Sequence, residues 1–69
     1  MNGLTQRQVQ VKEVIKGFLD REGFPPTIND VADAINTSEY NARQIIESLT
    51  RKGVVTRKKG VARSLKCIT

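Results

Sequence analysis

Ser38, Tyr40, Asn41, Arg43 and Gln44 lie within two turns of a would-be helix, and they are residue types that touch base edges in nucleic acids. An Arg holds guanine with two parallel hydrogen bonds, Asn and Gln do the same with adenine, and an aromatic ring packs on a thymine methyl. A second group, Arg57-Lys58-Lys59, precedes Gly60 at what reads as a hairpin tip, where cations suit phosphate or minor-groove contacts. Arg7, Thr27, Arg51 and Lys52 are further candidates for phosphate. Thr27 stands at a helix start, where backbone amides can face an anion. Against each assignment stands a plainer one: the outer face of a helix is polar anyway, and a basic turn can simply be solvated.

The chain has no histidine and one cysteine, Cys67. A Cys/His zinc site within one chain, His-based acid–base catalysis and an internal disulfide are therefore excluded. Cys67 reads as a small buried hydrophobe in a terminal strand, suited to a reducing cytoplasm. With 69 residues the core is thin, leaving little room for a catalytic cleft. No enzyme, cofactor or small-molecule ligand is expected. No apolar run approaches the roughly 20 residues that span a bilayer, and the polar N-terminus lacks the core of a signal peptide. The expectation is one cytoplasmic, nucleoid-associated domain with no membrane partner.

Three amphipathic helices would position the candidate residues. The first starts at Thr5, with Gln8 at capping-box spacing and Leu4 and Val9 placed for a hydrophobic staple. Val11, Val14, Ile15 and Phe18 then mark one face, widened by Leu19. Gly17 is a weak point, read as a site of close packing, and Gly23 with Pro25-Pro26 ends the helix. The second starts at Thr27, with Asp30 as its capping partner and Ile28, Val31, Ala32 and Ile35 as its face. Asn36-Thr37 follows, and Asn tolerates the left-handed conformation that ends helices. The third starts near Ser38, with Ala42, Ile45, Ile46 and Leu49 turned inward, and stops at Gly53. Its outward face then holds Tyr40, Gln44, Glu47 and Arg51, flanked by Asn41 and Arg43. Glu47, four residues from both Arg43 and Arg51, is expected in an intrahelical ion pair.

After Gly53 the period changes. Val54-Val55-Thr56-Arg57 is short and β-branched, Lys58-Lys59-Gly60 reads as a tight turn, and Val61 to Ile68 alternates in part. Charge divides at nearly the same place. Residues 1–50 carry net −2, whereas residues 51–69 hold seven bases and no acid. Apolar residues interleaved with those bases argue against a mere solvated tail. A short helix, a two-residue turn and a second short helix suggest a helix-turn-helix, and a basic hairpin after it suggests a wing beside the recognition helix.

These residues resemble a known family. Leu4-Thr5-Gln6-Arg7-Gln8, Gly23-Phe24-Pro25-Pro26-Thr27 and Arg51-Lys52-Gly53-Val54-Val55 are similar to the blocks that open the DNA-binding domain of the LexA repressors. Spacing matches over nearly the whole chain, with about one residue fewer near Asn36-Thr37. The resemblance implies a winged helix-turn-helix that represses transcription by occupying an operator, in the bacterial SOS response or in a phage or plasmid relative. It also implies base reading by a Ser, an Asn and acidic residues early in the third helix. Ser38 matches the first. The Asn matches Asn41 if the missing residue lies after it, or Tyr40 if before. Core spacing favours the second alignment, which puts Arg43 and Gln44 at the acidic positions and points away from the standard operator. The family also carries a self-cleaving Ser–Lys protease domain that supplies dimerisation. This chain ends where the first domain would end, as either a cut domain or a complete small regulator.

The sequence therefore gives a mainly α fold with a small β-hairpin, a winged helix-turn-helix of three helices (about 5–22, 28–35 and 38–52) and a wing (about 54–68). The expected function is sequence-specific binding of double-stranded DNA, with a homodimer or cooperative pair on adjacent half-sites. An architectural factor for recombination or replication initiation, and a protein-binding adaptor, are the alternatives.

Overall fold

A computed structural model describes residues 3–58, 60, 61 and 63–68. Three helices, α1 (Gln6–Glu22), α2 (Ile28–Ala34) and α3 (Glu39–Arg51), precede two short strands, β1 (Val55–Thr56) and β2 (Lys66–Cys67). The strands pair antiparallel, with Val55 opposite Cys67 and Thr56 opposite Lys66.

Each helix starts where a side chain satisfies the first free amides. Thr5 and Gln8 form a complete capping box, and so do Thr27 and Asp30. The Ser38 hydroxyl accepts from the Asn41 amide at 3.1 Å. The helix ends are equally local. Gly23 (φ 82°) closes α1 on the Leu19 carbonyl. The α2–α3 turn is a Schellman motif with Asn36 at φ 57°, in which Thr37 N–H reaches Ala32 O and Asn36 N–H reaches Asp33 O. Gly53 (φ 76°) does the same after α3, with Val54 N–H on Leu49 O. That reversal turns the chain at once into β1.

The core gathers Val11 and Ile15 from α1, Val31 and Ala32 from α2, Ile35 just beyond it, Ala42, Ile46 and Leu49 from α3, and Val55 and Leu65 from the wing. Leu4, Val14, Ile28, Ile45, Val54 and Cys67 pack around it. α3 is in contact with α1, α2 and β1, while α1 also meets β2. Gln8 is the buried polar residue. It accepts from Thr5 N–H and Lys52 Nζ and donates to Ser48 Oγ at 2.9 Å, so α1 is tied to the end of α3.

The structure corrects several expectations. The wing strands are two residues each, so the expected alternation from Val61 to Ile68 is confined to its end. Val61 and Ile68 are exposed, while Leu65 is buried. The Lys58-to-Val61 turn, with Gly60 at φ 82°, sits inside a longer loop between β1 and β2. Val61 N–H closes on Lys58 O, and Ser64 Oγ accepts from Lys58 N–H at 2.8 Å. Lys59 lies outside the described residues. Val9 is exposed, and Leu4 packs on the core. Gly17 has nothing within 4 Å of where a Cβ would stand. Close packing is therefore not its reason.

Arg63 fastens the loop to the turn before α2. Its Nη1 donates to Pro25 O at 3.0 Å and to Asp30 Oδ2 at 3.1 Å, and its guanidinium lies 4.8 Å from the centre of the Phe24 ring. Phe24 meets Phe18 edge-on at 5.8 Å. The Asp30 carboxyl is held below its ordinary pKa of 3.8, chiefly by the Thr27 backbone N–H, then by the Thr27 hydroxyl and Arg63, against the opposing effect of burial.

Two outcomes follow for stability. Gly17→Ala should stabilise the domain by about 0.5–1 kcal/mol, because Ala gains helix propensity without meeting a neighbour. A urea titration giving equal or lower stability would mean the site is not open. Asp30 titrates lower folded than unfolded, so its contribution is present above its ordinary pKa and is lost as pH falls through the lower native value. The acid limb of a pH–stability curve should therefore flatten in Asp30→Asn, and an unchanged limb would show that Asp30 is not part of it.

Candidate nucleic-acid interface

The outward face of α3 is set by what it buries. With Ala42, Ile46 and Leu49 inward, Tyr40, Asn41, Arg43, Gln44 and Arg51 are exposed, and Glu47 is half-buried. Tyr40 has 73% of its surface exposed, more than Val9, Phe24, Val61 or Ile68. Neither Tyr40 nor Gln44 has a hydrogen-bond partner among the described residues, so both polar ends are available. Asn41 Nδ2 donates to Thr37 Oγ1 at 2.8 Å, leaving its carbonyl oxygen as an acceptor. Ser38 uses a lone pair for capping and keeps its hydroxyl proton.

Arg43 pairs with Glu39, Nη2 to Oε1 at 3.5 Å, and not with Glu47. The reason is directional. Side chains on a helix lean toward its N-terminus, so Arg43 meets the residue one turn before it. An acid preceding a base by four residues is also the better orientation. Among the described residues Glu47 has no ion pair, contrary to its expected role.

The wing brings its cations to the same region. Arg57 and Lys58 are exposed, and neither side chain has a partner among the described residues. A cleft between wing and α2 is lined by Ile28, Arg57, Lys58, Val61 and Leu65 among others. A second cleft, between α2 and α3, is lined by Thr27, Ile28, Asn29, Glu39 and Arg43. Ile28 belongs to both. The wing and the first turns of α3 thus flank the same end of α2.

Three candidates for phosphate are otherwise engaged. Arg7 Nη1 donates to Ile35 O and to Gln10 Oε1, each at 3.1 Å, capping the turn after α2. Lys52 Nζ donates to Gly3 O at 3.0 Å and Gln8 Oε1 at 2.9 Å. Both cations serve the joint between α1 and the other helices. At Thr27, Asp30 Oδ2 accepts from the backbone N–H while the hydroxyl oxygen accepts from Asp30 N–H, so a carboxylate already sits at the first turn of α2. Arg51 is exposed at the end of α3 with no partner among the described residues. Arg63 and Ser64, which hold the wing, were not signalled by type or spacing. Their partners lie across loops, and only the basic context of Arg63 drew notice.

Cys67 is half-buried in β2. Its thiol lies 3.5 Å from Lys12 O, and burial pushes its pKa up. The thiol form is therefore favoured, in keeping with a packing role. No helix among the described residues is long and apolar enough to cross a membrane.

Residues 1–64 match the family model described as the LexA DNA binding domain. The chain is 32% identical over 66 residues to a LexA repressor of Magnetococcus marinus, covering 96% of this chain and 29% of that protein. It is 36% identical over 69 residues to one from Burkholderia cenocepacia (99% and 32%), and 41% over 56 residues to one from Methylococcus capsulatus (80% and 28%). The chain spans about three tenths of the length of these relatives. A winged three-helix fold and a match over all but the last five residues lead to one assignment: the chain belongs to the LexA DNA-binding domain family.

Proposed function

We propose that this domain binds double-stranded DNA and represses transcription by occluding a promoter. The observation that carries the reading is the exposed face of α3, where Tyr40 and Gln44 have no side-chain partner among the described residues, flanked at one end of α2 by Arg57 and Lys58, which have none among them either. α3 enters the major groove, and Ser38, Tyr40, Asn41, Arg43 and Gln44 meet base edges. Arg57, Lys58, Arg51 and, from its place in the sequence, Lys59 contact phosphates. Arg7 and Lys52 hold the scaffold, and Thr27 contributes at most its hydroxyl proton. The domain performs no chemistry on its ligand. One domain covers limited surface, so tight binding uses two copies on adjacent half-sites, in the cytoplasm on the nucleoid. Arg43 and Gln44 at positions where the family has acids support an operator different from the standard one.

Selection from a randomised duplex pool tests this, with binding of the winner followed across salt. A single motif is expected, with log affinity falling against log salt at a slope of roughly −4 to −5 for about five phosphates. Salt-sensitive binding with no motif would favour an architectural factor. No binding at low salt would turn the search to protein partners. Within that assay, Arg43→Ala should lose about 1–3 kcal/mol of discrimination at one base pair. Unchanged preference would mean α3 is not seated as described. Replacing Arg57 and Lys58 by Ala should weaken all sequences alike and flatten the slope by about 2. A change of motif would instead make the wing a reader of bases.

A further inference from the structure

The wing is joined to α3 by one sharp reversal; its strands pair over two residues each, Ile68 N–H adds a bond to Val54 O, and Val55 and Leu65 anchor its base in the core, which leaves the loop beyond them to be placed. A two-stranded ribbon of that length is marginal by itself. Its loop is closed internally by Ser64, which fixes the loop's shape but not its position on the domain. Among the described residues from 57 to 64, the hydrogen bonds that leave the loop are those of Arg63. They go to stiff ground. Pro25 and Pro26 have fixed φ, and Asp30 is locked in the capping box of Thr27. The guanidinium donates to Pro25 O and Asp30 Oδ2 while lying on the Phe24 ring. A planar group can do both at once; an ammonium cannot match that geometry.

We propose that Arg63 is a positioning residue for DNA binding, latching the wing to the Phe24–Asp30 segment and so setting where Arg57 and Lys58 stand beside α3. The proposal rests on reading the α3–wing surface as the DNA interface. Arg63 acts through the wing cations and not as a phosphate ligand. Its Nη1 already faces a carbonyl and a carboxylate, and Asp30 offsets its charge. The latch runs from the wing to α2, and α2 packs on α3, so one rigid path joins the two parts of the surface.

The test compares wild type with Arg63→Lys, which keeps the charge, and with Asp30→Asn, which removes an acid. Affinity for a random-sequence duplex is measured across salt, with circular dichroism to establish folding. Each substitution is also combined with Arg57→Ala/Lys58→Ala. Removing an acid near DNA would by charge alone tighten binding, so Asp30→Asn separates the latch from simple electrostatics. Both single variants should stay folded, bind about tenfold more weakly, and have a salt slope shallower by about 2. Adding Arg57→Ala/Lys58→Ala should then cost little more, because the wing has already been lost. Wild-type affinity and slope in both variants, tighter binding by Asp30→Asn, or fully additive penalties would each overturn the latch while leaving DNA binding intact. Absence of binding by the wild type would overturn both readings.

Discussion

The burial of Ala42, Ile46 and Leu49 decides nearly everything the surface can do. Those three side chains hold one stripe of α3 against the rest of a small core, and the opposite stripe is thereby fixed in direction. Rotating α3 by one residue would turn Arg43 inward and expose Ala42, burying a charge that nothing in the core could pair. The helix is therefore a rigid mount for whatever its outer residues touch. That matters because contacts with base edges demand side chains set by the scaffold and not by loops.

Rigid helices alone would not place a wing, and here the economy of the fold shows in its ends. The Schellman turn after α2 brings Ser38 to cap α3 within a few residues. The one after α3 delivers Val55 directly into the core as the anchor of β1. Leu65 anchors the return strand. Between these two anchors the chain is polar and cationic, and its shape depends on Ser64 and its placement on Arg63. The domain thus uses apolar burial to fix helices, and hydrogen bonds at loops to fix the parts that burial cannot reach.

That division explains what could be read from the sequence. Thr5–Gln8, Thr27–Asp30, Asn36 and Gly53 act over a few residues, so type and spacing disclose them. The apolar faces were legible for the same reason, since one helical period determines which residues must hide. The fates of the long cations were not. Arg7, Lys52 and Arg63 look like DNA-binding residues by charge, yet their acceptors lie 28, 44 and 38 positions away, at Ile35, Gln8 and Pro25. No periodicity reports on contacts of that range. Gly17 misled in the opposite sense, since a glycine in a helix suggests a close neighbour and here has none. The partner of Arg43 was a matter of direction along the helix. Counting four residues both ways from Glu47 pointed to Arg43 and Arg51, whereas the backward tilt of helical side chains turns Arg43 to Glu39.

The Glu39–Arg43 pair also bears on how base reading would work. Both side chains are about half exposed, and an ion pair of that kind is worth roughly 0–1 kcal/mol. A bidentate Arg–guanine contact discriminates by about 1–3 kcal/mol. On the proposed reading, Arg43 exchanges a weak intrahelical partner for a stronger base contact when guanine is present. Opposite any other base the exchange returns little, and Arg43 keeps Glu39 as its partner. The cost of breaking the pair, at most about 1 kcal/mol, therefore falls on the guanine complex, where the bidentate contact exceeds it. On the same reading affinity comes from Arg57 and Lys58, whose side chains have no partner among the described residues. On that reading the acid one turn before Arg43 gives it a partner wherever guanine is absent, while the wing supplies the attraction that makes selection possible.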